Sequence, residues 1–230
     1  MLGAIESVDW AAIAGPADRY SPERVAGGMR DLASATSNLA AAKAASLLAG
    51  QGILHEHSGA VLPAAVAAAP LLLDIIEHGH PRARNAALGL LEDSLTYDPL
   101  NGYTRIDAVP LCCAIAGHIR ARHDLLTGQG RDGGDLLAKA AEHWRFELRD
   151  LVVDDTDMIA FGVLGGVFPG GRHPAELHDA HRIIPLPAVA LEYPPEDDSA
   201  EACLRLVDVP PDRVRTGAVL YSAVCGARVH

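Results

Sequence analysis

Apolar residues recur three and four positions apart along most of this chain, a spacing that predicts helices rather than strands. Over 20–36, YSPERVAGGMRDLASAT, Val25, Met29 and Leu32 fall on one face; Ser21 is placed to cap and Pro22 to occupy the first helical position. Over 36–52, Leu39, Ala42, Ser46 and Ala49 form a stripe, alanine density favours helix, and Gly50 and Gly52 supply a stop. A third helix is predicted over 59–79, with Pro63 in its first turn and a kink or break at Pro70. A fourth, from Pro81, puts Ala83, Ala87, Leu90, Leu91 and Leu95 on one face before the turn DPLNG.

The same period extends into the second half. Over 107–126 the register runs Val109, Cys112, Ile115 or Ala116, and Ile119, and GQGRDGG is a loop. Over 135–155, Leu136, Leu137, Ala140, Trp144, Leu148 and Leu151 share a stripe. Asp155 or Thr156 is placed to cap a helix over 157–168, and further helices are expected over 175–184, 199–209 and 210–229. No segment shows sustained alternation of β-branched residues. The expectation is therefore an all-α chain of about ten helices, paired as antiparallel hairpins with a period of about 40 residues. The pairs span 21–52, 59–97 and 106–153. A single domain over 1–230 is expected, regular through 153 and less regular from 154 to 230.

The segments ILHEHSGAVLPAAVAAAP, LLLDIIEHG and PRARNAALGLLEDSL, with the upstream VDWAAIAGPADRYSPERVAGGMRDL, resemble a bacterial HEAT-like helical-repeat family. The resemblance covers about the first hundred residues. It implies an α-solenoid of the HEAT or armadillo kind, with a curved surface for a partner. Small bacterial proteins of this type are often interaction modules, and some neutralise toxins. By that analogy the chain is expected to be a non-catalytic protein-binding module, an inhibitor or immunity protein included.

Composition supports a large core, with 49% apolar residues but only 4% aromatics. The formal net charge is −11. Residues 1–150 hold 13 basic and 18 acidic side chains, and residues 151–230 hold 6 and 12, so acidity is denser toward the C-terminus. Nucleic acid is a poor partner for such a surface, and a basic protein a good one. Lys43 and Lys139 are the only lysines, which points to GC-rich codon usage and a bacterial source. MLGAIESVDW has no basic n-region, and the longest uncharged run, 58–73, is too short to span a bilayer. Cys112, Cys113, Cys203 and Cys225 show no C-x-x-C spacing. A cytoplasmic, reduced chain with buried thiols is expected.

Candidate chemistry is sparse. His55 and His57 in HEHSG are two apart, a spacing that diverges on a helix, and the flanking glycines read as a turn between helices. His78 near EHGHPR suits a helix C-terminus. HPAELHDAH places His178 and His181 three apart on an expected helix, the runner-up for a zinc-dependent hydrolase site. No cofactor and no metal are expected otherwise. The preferred binding surface is an acidic strip of Asp154, Asp155, Asp157, Glu196, Asp197 and Asp198, with Trp144 and Tyr193 as aromatic anchors. A HEAT-like DNA glycosylase is the alternative; it needs a basic concave face, which the sequence does not offer.

Overall fold

A computed structural model of the chain describes residues 2–179, 182–195 and 200–227. It divides into two compact units, residues 1–140 and 141–229. The first is helical. Its helices are α1 (Leu2–Glu6), α2 (Pro22–Ser34), α3 (Asn38–Gln51), α4 (Ala64–His78), α5 (Pro81–Thr96), α6 (Leu111–Arg120), α7 (His123–Thr127) and α8 (Arg131–Glu142). Their ends follow from local chemistry. Ser21 Oγ accepts from the Arg24 amide at 3.3 Å, and Ser37 Oγ from the Ala40 amide at 3.2 Å. His80 Nδ1 accepts from the Arg82 amide at 3.2 Å. Of the kink or break expected at Pro70, the break is absent: α4 runs through it, with Leu71, Leu72 and Leu73 buried on the far side. α2 packs on α3, and α4 on both α5 and α6.

Two-residue strands punctuate the helices: β1 (Leu54–His55), β2 (Ala60–Val61), β3 (Asp98–Pro99), β4 (Arg105–Ile106) and β5 (Val109–Pro110). HEHSG is a turn, here one that joins β1 to β2. Gly59 takes φ 59°, and His55 Nδ1 meets Ser58 Oγ at 2.7 Å. At the start of the unit, the Trp10 indole donates to the Ile5 carbonyl and the Tyr20 hydroxyl to the Trp10 carbonyl at 2.6 Å. Burial, then Glu23, pushes the Tyr20 phenol up to about 12. Among the described residues, no helix is long and apolar enough to cross a membrane.

The second unit overturns the expected all-α solenoid and the resemblance to HEAT-like repeats. It is a closed six-stranded barrel of β6 (Arg145–Asp154), β7 (Asp157–Gly165), β8 (Arg172–Asp179), β9 (Arg182–Tyr193), β10 (Glu201–Leu206) and β11 (Val219–Ser222), followed by the short helix α9 (Ala223–Ala227). The order around the barrel is β10-β7-β6-β11-β8-β9, every pair is antiparallel, and β10 closes the ring by bonding to both β7 and β9. The helix expected over 135–155 stops at Glu142, and the helices expected over 157–168, 175–184 and 199–209 are strands β7, β8–β9 and β10.

Inward residues alternate as a barrel requires. On β7 these are Met158, Ala160, Gly162 and Leu164. On β6 the alternation Phe146, Leu148 is broken by a bulge at Arg149–Asp150, so Leu151 is the next inward residue. Trp144, Phe146 and Leu204 lie in the core of this unit. Gly162 is required by close approach: a Cβ there would stand 2.8 Å from the Phe146 ring and collide with the Glu147 carbonyl oxygen. Gly162→Ala is expected to destabilise the barrel by about 1–3 kcal/mol, the usual cost of overpacking. The measurement is thermal unfolding with hydrogen exchange, in which the amides of β6 and β7 should lose protection before those of α2–α5.

Candidate functional site

The barrel presents one outer row in which four neighbouring strands each contribute a residue. Asp150 on β6 stands opposite Phe161 on β7, Phe161 opposite Cys203 on β10, and Cys203 opposite Tyr193 on β9. Residues directly opposite in a sheet have Cβ atoms about 5 Å apart, so the four side chains are neighbours. Phe161 is 42% exposed and Tyr193 66% exposed, with the buried Cys203 between them. Burial, then the Glu192 carboxylate, pushes the Cys203 thiol up. It packs as a small apolar residue rather than a nucleophile.

One step toward the β6–β7 turn, the row continues as Val152, Ile159 and Arg205. Val152 is also exposed. A bulge on β9 turns Glu192 to Arg205, whose Nε and Nη2 donate to the two carboxylate oxygens at 3.0 and 3.1 Å. Arg205 Nη1 donates to Asp154 Oδ2 at 2.9 Å and Asp157 Oδ2 at 3.3 Å. The hydrogen bond from Arg205 holds the Glu192 carboxyl below the usual carboxylate range. The guanidinium is held more firmly protonated, by Glu192 first and Asp154 next. Three carboxylates on one cation leave the cluster negative. Asp155, at φ 58° in the turn, and Asp208, whose amide donates to Asp157, add to that charge. Arg149, on the other side of Phe161, is 3.7 Å from Glu201.

Of the residues expected to bind, the structure brings Asp154, Asp155 and Asp157 together at the β6–β7 turn and places Tyr193 on the same face of the barrel. Glu196, Asp197 and Asp198 lie outside the described residues. Trp144 is a correction. It is 1% exposed, with its ring centroid 4.8 Å from that of Phe168, so it belongs to the core and cannot anchor a partner. Phe161 is the exposed aromatic that the helical reading missed. Burial alternates along β7 through Met158, Ala160, Gly162 and Leu164, which aims Phe161 outward, but Ile159, Phe161 and Val163 are apolar as well, so the sequence carried no signal for it.

The runner-up histidines do not sit on a helix. His178 is on β8, where a two-residue step puts it on the same face as Glu176; Nε2 meets Oε2 at 3.1 Å, and Tyr221 packs edge-on with ring centroids 4.7 Å apart. His181 lies outside the described residues. Cys112 and Cys113 are buried in the first turn of α6. A contact with no sequence signal, its residues being 82 apart, joins buried His143 to buried Cys225 in the barrel unit. In the helical unit a smaller acidic group forms around Asp93, whose carboxyl is raised by burial, Glu92 and Glu56; Lys139 reaches Glu92 at 2.8 Å.

No family model, no curated protein and no solved structure matches the chain. The class that fold and site define is thus a helical unit joined in sequence to a closed antiparallel barrel with an acidic, aromatic outer face.

The Arg205 cluster sets a pH dependence. Glu192 is held below its unfolded value, so its contribution is present above that value and is lost as pH falls through the folded pKa. Arg205→Met is therefore expected to lower barrel stability most at neutral pH. The gap to the parent should close as pH falls below about 4. Urea titrations of the two proteins between neutral and acid pH measure it.

Proposed function

We propose that the protein is a non-catalytic binding module of the cytoplasm that docks a basic protein partner on the barrel face around Phe161 and Tyr193. The observation that carries this reading is the pair of exposed aromatic rings set in a field of carboxylates. Asp150 stands opposite Phe161 and Glu192 precedes Tyr193, Asp154, Asp155, Asp157 and Asp208 gather toward the β6–β7 turn, and the cations among these, Arg149 and Arg205, already face carboxylates, Arg149 that of Glu201. Exposed aromatic residues cost little entropy to order and supply most of the energy of such contacts, while surrounding charge selects the partner and speeds encounter. The chain's charge of −11 argues for an Arg- or Lys-rich protein surface over nucleic acid. All four cysteines are buried, in keeping with a reducing compartment. Inhibition of the partner is the simplest consequence of covering its basic surface.

The test uses the full chain with a photo-crosslinking residue at Val152, beside the anchors, and the captured protein is then titrated against variants. The expected result is a partner with a basic contact surface, bound at least about tenfold more weakly by Phe161→Ser/Tyr193→Ser, a loss typical of two anchors. Binding should also weaken as salt rises. Equal affinity of the double variant, or a partner whose cross-linked surface is acidic, overturns the assignment.

A further inference from the structure

We infer that His143 and Cys225 are ligands of a structural zinc ion in the barrel unit. Both side chains are buried, and His143 Nδ1 lies 3.4 Å from Cys225 Sγ. Two ligands of one tetrahedral zinc, with Zn–N near 2.0–2.1 Å and Zn–S near 2.3 Å, are separated by about 3.5 Å. The pair thus stands at the edge length of a zinc tetrahedron.

Topology holds the two residues at one end of the barrel. β11 pairs with β6 in the register Tyr221↔Arg145, Leu220↔Phe146 and Val219↔Glu147. Carried two residues past Arg145, that register sets position 143 opposite 223, where α9 begins. His143 therefore enters the barrel beside the point where Cys225 leaves it. Trp144, next to His143 and 1% exposed, fixes this entry by its packing in the core. An ion shared by the pair would clip the segment leading into the first strand of the barrel to its last helix, closing a loop of 82 residues in sequence.

The donor set suits zinc: a thiolate and an imidazole are its usual structural ligands, and neither needs a redox partner. Binding is written as Zn²⁺ plus the Cys225 thiol and the neutral His143 imidazole giving a thiolate–zinc–imidazole unit and one released proton. A catalytic thiol is a poorer account, because substrate cannot reach a pair this buried. The pair fills two positions of the ion. A thiol titration with and without metal counts how many of the other cysteines become protected with Cys225.

The experiment measures metal content of the purified full chain by plasma mass spectrometry, then replaces zinc by Co²⁺ and records its spectrum. Expected are one equivalent of zinc, tetrahedral Co²⁺ bands with thiolate charge transfer, proton release on binding, and loss of metal as pH falls below about 6. His143→Cys should keep the ion with a stronger charge-transfer band, and His143→Phe and Cys225→Ser should lose it. A folded protein that takes up neither zinc nor Co²⁺ overturns the proposal and leaves a thiol–imidazole hydrogen bond. So does a folded Cys225→Ser variant that retains both the ion and the unchanged Co²⁺ spectrum.

Discussion

Closure of the barrel is the constraint from which the rest of the second unit follows. A strand with a free edge leaves a row of unpaired amides and carbonyls; β10 removes that edge by pairing with β7 on one side and β9 on the other. Once the ring is closed, every residue on these strands faces either in or out. Inward go Phe146, Leu148 and Leu204, and outward go Asp150, Phe161 and Tyr193. Bulges on β6 and β9 add the curvature that closure needs, and the β9 bulge delivers Glu192 to Arg205. The acidic aromatic face is thus a product of the register, with no single segment responsible for it.

Electrostatics on that face divides into two parts. Around Arg205 the carboxylates are partly neutralised and hold β6, β7, β9 and β10 together through one guanidinium. Beyond it Asp150, Asp155 and Asp208 project charge outward. A bidentate pair between Arg205 and Glu192 gives geometric definition more than stability, since ion pairs that solvent still reaches contribute little. The apolar rings beside it offer the larger share of any binding energy. Carboxylates and rings have complementary uses: charge draws a basic surface in, and Phe161 and Tyr193 hold it.

Much of the misreading of the second unit traces to β6. Trp144, just before it, and its inward residues Phe146, Leu148 and Leu151 include the steps 144–148–151, four then three, which is the spacing of a helix face. The bulge at Arg149–Asp150 created that coincidence by inserting a residue into a two-residue period. On β7 the outward Ile159, Phe161 and Val163 are apolar too, so polar–apolar alternation was hidden. On β9 Pro185 and Pro187 run against strand propensity, although the strand passes through both. The acidic residues of the β6–β7 turn were legible as charge, and Tyr193 as an aromatic near them. Trp144 was not, because burial is a property of the folded ring.

The sequence by itself determined the helices α2 to α5, because a helix is closed by contacts four residues apart. Ser21 and Ser37 sit beside the amides they cap, Pro22 and Pro81 fill first positions where an amide would have no partner in the helix, and the apolar stripes of α2 and α5 are complete within each segment. It also determined the acidity of the chain. Only the tertiary structure decided the barrel, the exposed row of Phe161 and Tyr193, and the meeting of His143 with Cys225. A strand's partners lie dozens of residues away, and which of its faces is buried depends on pairing that no local window contains.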